Sequence, residues 1–258
     1  MQLIEELREE IARRQQFTMM VAHEMRNLLA PLTTGVELLA SADTAATIRA
    51  RPVIARQVAQ MTRLVEDLLD IAGGEQGRMS LCVASVDLRD VITAAVDIAR
   101  PAISAREHSL TLVPAISNPA VIDGDQVRLT QVVSNLLINA AKFTPRRGAI
   151  HVVLEHEAPY VNLCVRDTGV GIAPDLLPII FNVYVRATRG PEGTRSGLGL
   201  GLAVARYLVE QHGGTLCAYS AGPGKGSEFI VRLPVAANRW AAVEDSPISA
   251  RYTDRPRD

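Results

Sequence analysis

Apolar residues recur at spacings of three and four along residues 1 to 72, and at spacings of two in several short runs beyond residue 80. Leu3, Leu7 and Ile11 open a stripe that continues through Val21, Met25, Leu28, Leu32 and Leu39, with Gly35 or Val36 between the last two. Four-three spacing is the seam of a coiled coil or helical bundle, and it predicts one long helix over residues 1 to 40. With Val21 at d and Met25 at a, His23 falls at f, pointing away from the seam. Pro31 removes a backbone donor and is expected to kink or loosen the helix there. Residues 41 to 51 are polar and alanine-rich, which fits a turn and the start of a second helix. That helix repeats the seam at Ile54, Val58, Met61, Val65 and Leu68, and Gly73-Gly74 is expected to end it near Ala72. Two helices with one apolar stripe each cannot close a core, whereas two copies make a four-helix bundle. A homodimer through residues 1–72 is expected.

From Leu81 the period changes. Residues 81 to 86 read as a strand, and Asp87 is placed to cap a helix from Leu88 to Ser104. Short strands are expected at 110–113 and 120–122, and a strong helix at 125–143. Alternating strands at 150–155 and 161–166 flank a turn near Ala158-Pro159. A helix from Leu202 to Gln211 closes at Gly213-Gly214, and strands at 215–220 and 228–233 follow. The fold class is α+β: a helical hairpin over residues 1–74, then an α/β sandwich over 75–235 with a mixed sheet and helices on one face. Residues 236–258 have no periodicity and are expected to be a disordered tail or a short docking segment. The chain carries no internal repeat.

Composition narrows the function classes. Aromatic residues make up only 4% of the 258, which disfavours a stacking platform for nucleic acid. The net charge of -1 offers no basic footprint for nucleic acid or an anionic membrane. Cys82, Cys164 and Cys217 are odd in number and far apart, so neither a zinc site nor a disulfide framework is indicated, and a reducing cytoplasm fits. No apolar run is long enough to span a bilayer, and the charged N-terminus is not a signal peptide. A complete chain of this kind is expected to be soluble. In a fragment, a sensor or membrane part would precede Met1.

Four clusters carry chemistry. His23 with Glu24 beside it suits a nucleophile or proton carrier, and Asn27 lies one turn further on. Taken alone, a histidine here reads first as the surface of an amphipathic helix, and only a matching catalytic partner elsewhere in the chain overturns that. Asn135, Asn139 and Lys142 follow one face of the 125–143 helix. Paired carboxamide oxygens can hold a hard cation such as Mg²⁺, though polar residues on a buried helix face read the same way. Asp167, Gly169 and Gly171 end a strand; a buried carboxylate there can accept from an exocyclic amine such as that of adenine, and the glycines allow close backbone approach. Gly197, Leu198, Gly199, Leu200 and Gly201 open a helix, where backbone N–H groups and the helix dipole attract anions. Residues 191–196 are polar and suit a mobile lid over phosphates.

In this order the clusters resemble the sensor histidine kinase family, whose ATP-binding fold is shared with gyrase, Hsp90 and mismatch-repair ATPases. The resemblance covers roughly residues 10 to 234. VAHEMRNLLAPL is similar to the phosphoacceptor box, NLLINAAKFTP to the N box and DTGVGI to the first G box. IIFNVYVRA is similar to the F box and GLGLGL to the second G box. The histidine box separates the chain from gyrase, Hsp90 and the serine-directed anti-sigma kinases.

The resemblance implies a dimeric helical hairpin followed by an ATP-binding domain that binds ATP with Mg²⁺. It implies that His23 is the phosphoacceptor, that Glu24 orients the imidazole or takes its proton, and that Asn27 positions water when a partner response regulator is dephosphorylated. Asn135 and Asn139 would hold Mg²⁺ and Lys142 would meet phosphates. Asp167 would read adenine in a pocket shaped by Gly169 and Gly171. Phe181 and Tyr184 would anchor the lid, and Arg186 would contact the γ-phosphate or the surroundings of His23. Gly197, Gly199 and Gly201 would cradle phosphates, with Leu198 and Leu200 between them.

Two departures stand out. Leu28 replaces the proline most members carry after the histidine, so a kink would come from Pro31 instead. Gln131 stands one turn before Asn135, where the wider ATPase fold often carries glutamate, and glutamine is a poor general base. The expected activity is ATP-dependent phosphorylation of His23 with transfer to an aspartate of a response regulator receiver domain. The rivals are a response-regulator phosphatase and a dimeric phosphotransfer or binding scaffold.

Overall fold

The computed structural model describes residues 2–40, 44–75, 80–114, 120–183, 185 and 199–236. The sequence-predicted lid at 191–196 and the tail beyond residue 236 lie outside the described residues. So do Tyr184, Arg186, Gly197, Leu198 and the side chain of Glu24.

Helix α1 (Gln2–Leu39) and helix α2 (Thr44–Glu75) form the hairpin. Helix α1 runs unbroken through Pro31, so the expected interruption does not break it into two helices. Helix α2 likewise continues past Gly73-Gly74 to Glu75, against the expected stop near Ala72. Glycine weakens a helix interior by roughly 1 kcal/mol but does not forbid it. Gly35, not Val36, occupies the seam: a Cβ on Gly35 would lie 2.7 Å from Ile54 Cγ1, whereas Val36 is exposed. On α2 the buried stripe is Ala50, Gln57 and Leu64, with Met61 and Leu68 partly covered. Val58 and Val65, expected in that seam, are exposed. They lie on a neighbouring stripe of α2, because one hairpin can cover only one face of each helix. His23 is exposed, as its f position requires.

The remaining described residues form the sandwich. Its elements are β1 (Ala84–Asp87), α3 (Leu88–Ala105), β2 (Ser109–Pro114), β3 (Val121–Gly124) and α4 (Gln126–Phe143). They continue with β4 (Ala149–Glu157), β5 (Tyr160–Asp167), α5 (Gly201–Gln211), β6 (Thr215–Tyr219) and β7 (Ser227–Pro234). The main sheet has the order β2-β4-β5-β7-β6, and β1 pairs with β3 in a separate ribbon. β2 is parallel to β4 and every other pair is antiparallel, so the sheet is mixed. Alternation decides its two faces. Ile150, Val152, Leu154, Val161, Leu163, Val165, Phe229, Val231 and Leu233 are buried in one core with α3, α4 and α5. Arg166, Cys217 and Tyr219 point to the other side and are exposed.

Capping fixes where the helices start. Asp87 accepts from Arg89 N at 3.0 Å to begin α3. Asp125 accepts from Val127 N and Arg128 N at 3.0 and 3.2 Å to begin α4. Each such cap contributes about 1 kcal/mol. Asp125 also accepts from Cys82 N at 3.0 Å, and its own N–H donates to His212 Nε2 at 2.9 Å. One residue thus joins the segment leading into β1, the start of α4 and the end of α5.

Candidate nucleotide site and phosphoacceptor

Helix α4 carries the polar side of the site. Asn135, Asn139 and Lys142 lie half-buried along one face, while Leu129, Val132, Val133, Leu136 and Leu137 face the core. Asn135 Nδ2 donates to the Gly201 carbonyl at 3.2 Å, tying α4 to the glycine segment that opens α5. That bond uses the nitrogen of the carboxamide and leaves Oδ1 as an oxygen donor. An oxygen donor is what Mg²⁺ takes, so the residues fit the ion. Among the described residues no group of three His, Cys, Asp or Glu side chains could hold a metal, so phosphate oxygens and water would complete its shell. Lys142 Nζ lies 4.8 Å from the centre of the Phe143 ring.

Asp167 ends β5 and is buried, its Oδ1 accepting from Gly169 N at 2.7 Å. Burial pushes its carboxyl above the ordinary carboxylate range, and hydrogen bonds from Gly169 and Ser227 partly oppose this. The turn after it is pinned to α4, because Val170 N donates to the Phe143 carbonyl at 3.1 Å. Gly171 adopts φ +70°, and a Cβ there would lie 2.1 Å from the Gly222 carbonyl.

That contact reveals a second glycine turn, at Gly222, Gly224 and Gly226, which the sequence reading did not single out. Gly224 N donates to the Val170 carbonyl at 2.6 Å and Gly226 N to the Gly169 carbonyl at 3.1 Å. The two turns lock together and hold the Asp167 carboxylate. Its signal was present in GPGKGS, with glycines two apart between two strands.

Gly199 and Gly201 stand at the N-terminus of α5, Gly199 with φ +72°. Leu200 occupies the N-cap position and offers no side-chain oxygen to the first backbone donors of α5. Those N–H groups and the helix dipole favour an anion. Leu200 itself is buried, against Leu28 and Leu64 of the hairpin. Phe181 packs edge-on to Phe229, with centroids 6.4 Å apart, and anchors the chain ahead of the lid region in the core. The structure therefore brings together Asn135, Gly199, Leu200 and Gly201 in one corner, and Asp167, Gly169 and Gly171 with the end of α4 in another. On the hairpin, Asn27 Nδ2 donates to His23 Nδ1 at 3.1 Å.

Residues 124–237 match the model of the histidine kinase-, DNA gyrase B- and HSP90-like ATPases, and residues 13–77 match the His Kinase A (phospho-acceptor) domain. The chain belongs to the sensor histidine kinase family. The probable sensor histidine kinase TcrY of Mycobacterium tuberculosis is 36% identical over 234 residues, spanning 90% of this chain and 48% of that protein. The sensor histidine kinase RppB of Synechocystis is 32% identical over 228 residues, spanning 86% and 49%. The chain thus spans about half the length of the curated relatives it matches. Among solved structures, the mycobacterial sensor histidine kinase MprB covers 59% of the chain and 97% of its own, with a TM-score of 0.52 and 29% identity. Full-length ShkA with AMPPNP covers 85% of this chain and 45% of its own. Its TM-score is 0.64 at 24% identity, which supports the fold.

Proposed function

We propose that this chain is an ATP-dependent protein histidine kinase that phosphorylates His23 and passes the phosphoryl group to an aspartate of a response regulator receiver domain. The observation that carries this reading is one chain holding both halves of the reaction. One half is an exposed histidine with an amide partner; the other is a site with carboxamide oxygens, a buried carboxylate and a helix N-terminus open to anions.

In this reading Asp167 accepts from the adenine amino group. The backbone donors of Gly199 and Gly201 hold phosphate oxygens, and Lys142 draws in negative charge. Asn135 and Asn139 would hold Mg²⁺, which neutralises charge on the transferring phosphoryl. The attacking ring nitrogen of His23 must carry a lone pair. Glu24 and Asn27 set which nitrogen that is, because a carboxamide turned by 180° accepts from Nδ1–H and frees Nε2. Tyr184 and Arg186 complete the lid side of the site, with Gly197 and Leu198 leading into the phosphate loop. The working units are the hairpin at 1–74 and the nucleotide domain at 75–235, followed by a tail at 236–258.

The hairpin is proposed to pair with a second copy. Val36, Ile48, Val58, Val65 and Leu69 are all exposed on it, an apolar face the single chain leaves uncovered. Among the described residues no helix is long and apolar enough to cross a membrane, and a cytoplasmic setting fits the free cysteines.

The test is incubation with γ-labelled ATP and Mg²⁺ beside His23→Ala. Acid-labile, base-stable label on the native chain and none on the variant is the expected result. A native chain that binds ATP yet takes no label would leave regulator dephosphorylation, the reading favoured by the Asn27 carboxamide against His23.

A further inference from the structure

The main sheet has helices on one side, and its other side carries an apolar band. Strand register lines up Val113, Val153, Cys164, Ile230 and Cys217 in one row across β2, β4, β5, β7 and β6. Four strand spacings make that row about 19 Å long. Val113 and Cys217 are exposed, and Val153 and Ile230 are half-buried. The two buried apolar clusters of the described residues lie inside the sandwich and at the hairpin, so neither lies on this face. A sheet face turned to water ordinarily carries polar residues, and an apolar row across all five strands departs from that.

Polar rows flank the band. On one side Arg166 Nε donates to Glu228 Oε1 at 2.6 Å. On the other, Asn162 and Arg232 stand opposite each other on β5 and β7. Asn162 Nδ2 donates to Glu157 Oε2 at 2.5 Å, and the Arg232 guanidinium lies 4.0 Å from the centre of the Tyr160 ring. Yet Asn162 Oδ1 and Arg232 Nε are buried with no hydrogen-bond partner among the described residues. One is an acceptor and the other a donor, the complement of a peptide group. The face is therefore suited to a chain segment, with apolar side chains for the band and backbone amides for its rim.

Residues 237–258 supply such a segment. Strand β7 ends at Pro234, which shares the outer face with Arg232 and Ile230 by alternation. Ile230 lies four residues back along the strand, about 13 Å, and Trp240 lies six residues onward, about 20 Å at full extension. A chain that doubles back after Ala236 thus brings Trp240 within reach of Ile230. Trp240 is the single tryptophan of the sequence and opens WAAV, the longest apolar run beyond residue 236. Arg239 beside it is opposite in charge to Glu155 and Glu157, which end β4 on this face. An indole covers roughly 150–250 Å², enough for one end of the row. The tether also favours this occupant over a free partner, since a short linker holds it at an effective concentration on the order of millimolar.

We infer that the Trp240 segment folds back onto the outer face of the sheet and covers the end of the apolar row at Ile230 and Cys217. The face lies across the sheet from α4 and α5, so a covered band leaves the nucleotide site open. The inference does not rest on the kinase reading.

The test uses the full chain and three probes it already carries. In the native protein Trp240 emission should be blue-shifted and shielded from acrylamide, and Ile230→Lys should make the indole at least about fivefold more quenchable. Alkylation by iodoacetamide, followed residue by residue by mass spectrometry, gives an independent readout. Trp240→Ala should speed modification of Cys217 about tenfold and leave Cys82, which is exposed and distant in sequence, as its internal control. Thermal unfolding of both variants shows that the domain remains folded. A native Trp240 quenched as freely as indole in water overturns the inference, and so does a Cys217 rate that Trp240→Ala leaves unchanged. Protection of Cys217 that fades on dilution would place a second copy on the face and overturn the tail as its occupant.

Discussion

At the scale of single residues, Asp167 is the group whose chemistry is most exposed to test. Its carboxyl is raised by burial, so the folded protein holds this proton more tightly than the unfolded chain does. The sign follows: its contribution to stability is fully present below the ordinary value of 3.8 and is lost as pH rises through the raised folded value. Against Asp167→Asn, which does not titrate, the native protein should lose relative stability over that rise, measured by denaturant unfolding at stepped pH. The opposite trend would mean that the carboxylate is stabilised as the anion. The same substitution should weaken ADP binding about 10- to 100-fold by calorimetry at neutral pH, since a hydrogen bond to a charged group contributes roughly 1.5–3 kcal/mol. Gly201 gives a cleaner separation of folding from binding. An added Cβ would find its nearest neighbour, Asn135 Cγ, at 3.6 Å, which is ordinary contact. Gly201→Ala should therefore unfold within about 0.5 kcal/mol of native, yet bind ADP at least about tenfold more weakly if phosphate approaches that backbone. Equal affinity would remove Gly201 from the phosphate cradle.

Elements show which parts of this design were legible in the sequence. Both hairpin helices, the α3 cap at Asp87, helix α4 and the strands of the main sheet follow from period and capping chemistry, which act over a few residues, whereas the cap role of Asp125 emerges only from the structure. Of the expected α2 seam, Met61 and Leu68 are partly covered while Val58 and Val65 are exposed, because only the partner helix decides which neighbouring stripe is buried. The turn at Gly222–Gly226 was passed over for a related reason: its task is set by the distant turn at Gly169–Gly171. Asp70 carries no signal of its own in the sequence, since nothing local announces Arg128 as its partner 58 residues away. The interlocked turns carry a sharp prediction. With φ +70° and the Gly222 carbonyl 2.1 Å from a new Cβ, Gly171→Ala should destabilise the domain by about 2 kcal/mol or more in thermal or denaturant unfolding. Near-native stability would mean that the two turns can separate without consequence.

For the whole molecule, the uncovered face of the hairpin is the feature that most demands a partner. Leu29 and Val36 on α1 are seven residues apart, as are Val58 and Val65 on α2, and all four are exposed together with Leu69. A heptad step keeps them in line, so each helix presents a second apolar stripe besides the one buried within the hairpin. Burying such a side chain is worth roughly 1.5–3 kcal/mol, and a two-fold axis doubles every contact. Several side chains per protomer then supply enough to offset the entropy of association. Val58→Glu with Val65→Glu would place four carboxylates in that interface without touching the Leu28, Leu64 and Leu200 cluster inside the protomer. Sedimentation should show a native dimer at micromolar concentration and a monomeric double variant, a loss of about 100-fold or more in association constant, with helix content by circular dichroism unchanged. A variant that remains dimeric would move the interface to another face. A native chain that sediments as a monomer would leave the stripe to a different helical partner, and the four-helix bundle would then not be the form in which His23 is presented.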